Sequence, residues 1–140
     1  MAPAPISADK MNRAVVAFLN GRRLKGYIFN FSAAKESFRL FPAEPAQEKS
    51  GSDIFMKDLK AIFFVKDLEG DPENSETRGE DRPIHGRKIV VTFNDGEELS
   101  GTTEAYSPQK LGFFMFPVGK NSNNLRVFVI NRNVRQVKRV

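Results

Sequence analysis

The chain has no cysteine, so it forms no disulfide, holds no thiolate-bound metal and carries no cysteine nucleophile. Its single histidine, His85, excludes an imidazole cluster and any two-histidine mechanism. That residue sits in RPIHGRK beside Arg82, Arg87 and Lys88, which disfavour its protonated form; a general base would need a carboxylate to orient it and a nearby nucleophile, and His85 reads instead as a surface side chain near a linker. Phosphate-cradling loops of the GxxxxGK[ST] and GxGxxG types are missing as well. These absences leave no catalytic, cofactor-binding or metal-binding residue to assign, and a non-enzyme is expected. No apolar run approaches the roughly 20 residues of a spanning helix, and MAPAPISADK lacks a basic start followed by an apolar stretch. No membrane insertion and a cytoplasmic location are the expectations.

Acidic residues are missing from one end of the chain. From Ala105 to Val140 there are seven Lys or Arg and no Asp or Glu. The opposite bias fills residues 66–81, which hold seven of the 17 acidic residues and two of the 22 basic ones, so the rest of the chain carries +10 rather than the overall +5. One-signed fields of this kind favour polyanions or acidic protein surfaces.

What is present is a repeat. Residues 15–42 align without gaps on residues 90–117 at an offset of 75, with 11 identities in 28 columns. Val15, Val16, Phe18, Gly21, Leu24 and Gly26 match Val90, Val91, Phe93, Gly96, Leu99 and Gly101. Ser32, Lys35, Phe38, Phe41 and Pro42 match Ser107, Lys110, Phe113, Phe116 and Pro117, and Phe31 stands opposite Tyr106. The tails agree too: Leu59, Ile62 and Val65 correspond to Val134, Val137 and Val140.

Each copy reads as strands. Asn20-Gly21 and Asp95-Gly96 supply the positive-φ pairs of tight hairpins, while Gly26 and Gly101 lie inside the second strand of each copy, where a missing side chain allows a sharp bend. Further strands run through Phe38 to Phe41 and Phe113 to Phe116, through Ile54 to Met56 and Leu125 to Ile130, and on to Val65 and Val140. Helix is expected at most over Ile6 to Asn12 and as one turn over Leu59 to Ile62. The pattern predicts an all-β protein of two tandem five-stranded SH3-like or Sm-like small barrels related by internal duplication. The expected boundaries are a flexible N-terminus over 1–12, a first barrel over 13–65, an acidic flexible linker over 66–86 and a second barrel over 87–140. No apolar residue occurs from Glu69 to Pro83, so that linker buries nothing. Modules this small bury little apolar area alone, so the two are expected to pack together, with Phe64 and Phe114 turned towards the other copy. The opposite turn charges, Arg22 and Arg23 against Glu97 and Glu98, allow the two barrels to recognise different partners or to meet each other across that contact.

The run apolar-apolar-x-Phe-x-x-Gly-x-x-Leu-x-Gly, followed in the first copy by Phe31-Ser32, resembles the first half of an Sm-like module. Ser32 and Lys35, and Ser107 and Lys110, replace the Asp and Asn of that pattern, so its base pocket does not carry over. Asn30-Phe31-Ser32 is similar to the start of the PilZ motif, with Lys35 at the glycine position. The whole is similar to uncharacterised bacterial modules that accompany PilZ-type signalling proteins. This resemblance implies an adaptor of bacterial regulatory type acting through a protein partner. A cyclic dinucleotide would be held by Asn30, Ser32 and Arg22 or Arg23. The residues themselves offer a third reading, RNA or single-stranded nucleic acid held by the basic set Arg126, Arg132, Arg135, Lys138 and Arg139, with steep salt dependence. Oligomeric state stays open.

Overall fold

The computed structural model describes residues 11–29, 31–42, 51–66, 86–104, 106–117 and 124–140. Asn30, His85 and residues 67–85 of the expected linker lie outside them. In chain order the strands are β1 (Met11–Phe18), β2 (Arg23–Phe29), β3 (Ser37–Phe41), β4 (Ser52–Phe55), β5 (Leu59–Val65), β6 (Arg87–Phe93), β7 (Glu98–Thr103), β8 (Gly112–Pro117), β9 (Asn124–Ile130) and β10 (Val134–Arg139). Single 3-10 turns, Met56–Asp58 and Asn131–Asn133, precede β5 and β10. The described residues are all-β, with no α-helix among them.

The hairpins form where the turn pairs require them. Gly21 and Gly96 take φ of 90° and 93°. In each turn the preceding side chain accepts a backbone bond two residues on, Arg22 N–H to Asn20 Oδ1 and Glu97 N–H to Asp95 Oδ1, both at 2.9 Å. The inner glycines serve close approach: a Cβ on Gly26 would lie 2.6 Å from the Phe41 carbonyl oxygen, and one on Gly101 2.3 Å from that of Phe116. Met11 and Asn12 are extended in β1, where a helical turn was expected. The turn expected over Leu59 to Ile62 falls at Met56–Asp58 instead, because β5 is buried on both faces from Leu59 onward.

All ladders are antiparallel and join one open sheet in the order β10-β6-β7-β8-β9-β5-β1-β2-β3-β4. This differs from two separate closed barrels. The seam is β5 against β9, with Ala61 opposite Val129, Ile62 opposite Phe128 and Phe63 opposite Val127. Its cause is legible in LKAIFFV and LRVFVI, which are apolar on both faces of the strand and therefore need cover on both sides.

Two cores lie on the two sides of this seam. Ile62, Phe64, Phe128 and Ile130 join Ala14, Val16, Ile28, Leu40 and Met56 in the first. Ala61, Val127 and Val129 join Ile89, Val91, Phe93, Phe113 and Met115 in the second. Phe114 packs on the first core, across the seam as expected; Phe64 lies in the same core and meets Phe114 of the other half at 6.0 Å between ring centroids, and Phe63 is turned to the second core.

Registers within the halves recur at the offset of 75. Ala14 opposite Gly26 is matched by Ile89 opposite Gly101, Phe38 opposite Ile54 by Phe113 opposite Val129, and Val16 opposite Ile62 by Val91 opposite Val137. Backbone bonds recur likewise: Leu19 N–H donates to Asp58 O and Asn94 N–H to Asn133 O, both at 3.0 Å. By this correspondence β10 matches β5 and β4 matches β9. Among the described residues the β5·β9 ladder has no such match, because β10 and β4 end the sheet there.

Candidate functional site: a basic sheet edge

Strand β10 has β6 on one side and, among the described residues, no strand on the other. Val134 and Val137 pack on the second core, and Arg135, Lys138 and Arg139 are exposed. Val140 N–H donates to Lys88 O at 3.1 Å. Backbone groups alternate in direction along a strand, so Val137 and Arg139 turn their N–H and C=O outward, away from β6. The Arg135 guanidinium donates to Asn94 O at 2.7 Å, which fixes it against the β6–β7 turn.

The structure therefore divides the basic set. Arg135, Lys138 and Arg139 share the edge. Arg126, on β9, faces the first core, its guanidinium 4.4 Å from the centroid of Phe114 and 4.7 Å from that of Phe64. Partial burial pushes its pKa down. Arg132, in the 3-10 turn Asn131–Asn133, lines a separate hollow of about 310 Å³ with Glu36, Phe55 and Lys57. Parity along each strand separates residues that look like one stripe in the sequence.

The residues named for a cyclic dinucleotide are also accounted for. Ser32 Oγ accepts Ala34 N–H at 3.3 Å, and Arg22 and Arg23 lie over Phe18 and Phe63, at 5.9 and 5.3 Å. Arg22 and Arg23 do not meet Glu97 and Glu98. The charge contact across the halves is made by Lys60 on β5, 8% exposed, whose Nζ donates to Asp95 Oδ2 at 2.7 Å and to Glu97 Oε1 and lies 4.9 Å from the Phe93 ring centroid. Asn133 adds a buried bond from its Nδ2 to Leu59 O. The signal for Lys60 was a lone cation inside the apolar run LKAIFFV.

Burial works against the Lys60 ammonium, but hydrogen bonds and charge from Asp95 and Glu97 outweigh it and hold its pKa above the ordinary value. Asp95 is held below the usual carboxylate value, first by the Lys60 hydrogen bond and then by the Glu97 N–H. Asp95 thus contributes stability above the ordinary carboxylate pKa of about 4, lost as pH falls through its lowered value. Lys60 contributes below about pH 10, lost as pH rises through its raised value. Hydrogen-exchange protection of β5 and β9 is expected to fall selectively on acidification below about pH 4, and Asp95→Asn should flatten that dependence. Equal acid sensitivity in the variant would show that the clamp is not its source.

Next to β10 opens a cleft of about 530 Å³. Ile89 and Val137 form its floor, and Arg87, Glu104, Tyr106 and Arg139 its rim. Among the described residues no group of three His, Cys, Asp or Glu side chains converges as metal ligands would, and no helix is long and apolar enough to cross a membrane.

An all-β protein with one open sheet and a cationic terminal strand is the class these features define. The chain belongs to DUF6982, a family of unknown function, whose match spans residues 10–140. No curated protein and no solved structure matches it.

Proposed function

We propose that this is a non-catalytic adaptor of bacterial regulatory type, built as two copies of a five-stranded small-barrel module, that takes a protein partner by strand addition at β10. The observation that carries the reading is the outer edge of β10, where the Val137 and Arg139 backbone groups face no strand among the described residues while three cations flank them. Extended segments bind such edges through main-chain hydrogen bonds, with side-chain pockets supplying specificity. The recurring registers and turn bonds support the duplication. A chain so duplicated offers one β5-like edge, β10, and one β4-like edge, whose short Ser52–Phe55 strand carries Asp53.

Nucleic acid is the second reading, favoured by the same cations together with Tyr106, which is 40% exposed and available for stacking. A photocrosslinker at position 138 of the full chain, used in cells, separates the two. The expected adduct resists nuclease, is degraded by protease and disappears when Arg135 and Arg139 are made Glu. A nuclease-sensitive adduct, with binding of poly-U that falls steeply with salt, would overturn the adaptor reading.

A further inference from the structure

The first core is closed by side chains from the other half. The ring of Phe31 meets Phe38 at 5.9 Å and Phe64 at 5.3 Å, and also Phe128 at 5.3 Å and Phe114 at 6.0 Å. The last two arrive from β9 and β8 because β9 lies beside β5. Tyr106 is the counterpart of Phe31, and its ring contact is Phe113 at 5.0 Å, the counterpart of Phe38. Among the described residues no strand lies beyond β10 to bring the counterparts of Phe128 and Phe114, and the cleft beside Val137 and Arg139 stands in that position.

Resting on the adaptor reading, we infer that the cleft and the outer edge of β10 form one docking site for an extended partner segment carrying an acidic residue two positions before an aromatic one. The segment lies antiparallel to β10 as β9 lies on β5. Transposing the β5·β9 register by 75 puts the aromatic residue opposite Val137, as Phe128 is opposite Ile62, and seats it against Tyr106. The acidic residue falls opposite Arg139, as Arg126 is opposite Phe64, with Arg87 on the same rim. Among the described residues that line the cleft, Glu104 is the single acid against these two arginines, so the site selects a carboxylate.

The chain's own β4 fits the site poorly. In the same register Asp53 would face Val137 and Gly51 would face Arg139. Arg135, the counterpart of Lys60, would then meet Asn20 and Arg22 in place of Asp95 and Glu97. Cation would face cation where the internal seam has its clamp, so the occupant is another protein rather than a second copy.

The probe is a synthetic peptide with the sequence of residues 124–130 and Arg126→Glu, tethered to a short ethylene-glycol chain and titrated into the isotope-labelled full chain. Shifts are expected at the Val137, Arg139 and Tyr106 amides, with new exchange protection at Val137 and Arg139. Phe128→Ala in the peptide should weaken binding roughly tenfold or more. Arg139→Glu in the protein should reverse the preference between the Glu and Arg peptides. Equal binding of the Ala peptide would sink the cleft while leaving strand addition standing. Shifts confined to β5 and β8, no binding of any peptide, or self-association lost on Asp53→Lys would each overturn the site. A nuclease-sensitive crosslink at position 138 would fell the adaptor reading itself.

Discussion

Phe128→Ala is expected to remove about 3–5 kcal/mol of stability, the upper range for truncating one residue. Phe128 is fully buried, belongs to the second half of the chain and fills the core of the first. Its ring lies 5.0 Å from Phe114 and 5.3 Å from Phe31 by centroid. The void would be lined by Phe114 on β8 and by Phe31 in the connection between β2 and β3, one from each half, so the site cannot collapse from one side alone. Urea unfolding measures the loss, and hydrogen exchange gives its direction: amides of β1 and β2 should lose protection along with those of β9. A cost below about 1.5 kcal/mol, in the range of a tolerated repacking, would mean that the first core closes without the second half.

Lys60→Glu is the second large effect. It puts a carboxylate, at a position only 8% exposed, against Asp95 and Glu97 and removes the cation over Phe93. Breaking a buried pair costs about 3–5 kcal/mol, and the half-exposed partners here bring the expected loss to about 2–3 kcal/mol. The distinctive result is loss of a single transition, since β5 would no longer be tied to the β6–β7 turn. Adding Glu97→Lys, which leaves the Asp95 turn bond in place, should restore part of the stability. Failure of that reversal would show that packing of the lysine stem, rather than charge, holds the turn.

The local half of this fold was written in short-range chemistry. Asn20-Gly21 and Asp95-Gly96 announced their hairpins because positive φ has few other hosts, and Gly26 and Gly101 marked the bends because a carbonyl sits where a Cβ would be. The seam was not legible. Ala61, Phe63, Val127 and Val129 read equally well as the inside of a closed barrel, since strand periodicity reports that both faces are covered and not by what. The basic edge was half legible for the same reason. Arg135, Lys138 and Arg139 stayed together on one strand, whereas Arg126 was lost to the first core because its parity matches Phe128 rather than Val127. The cleft depends on β10 having no second neighbour among the described strands, and no pattern within one chain segment records a missing neighbour.

The seam also bears on how the molecule reaches this state. Ala61 finds Val129 only after the whole of β6, β7 and β8 has been laid down, so the last apolar surface to be covered waits on the most distant pairing in the sheet. Closing long loops of this kind raises the entropic barrier and slows folding. Until that closure, β5 presents LKAIFFV as an open edge, which makes the first half, emerging first during synthesis, the aggregation-exposed intermediate of this chain.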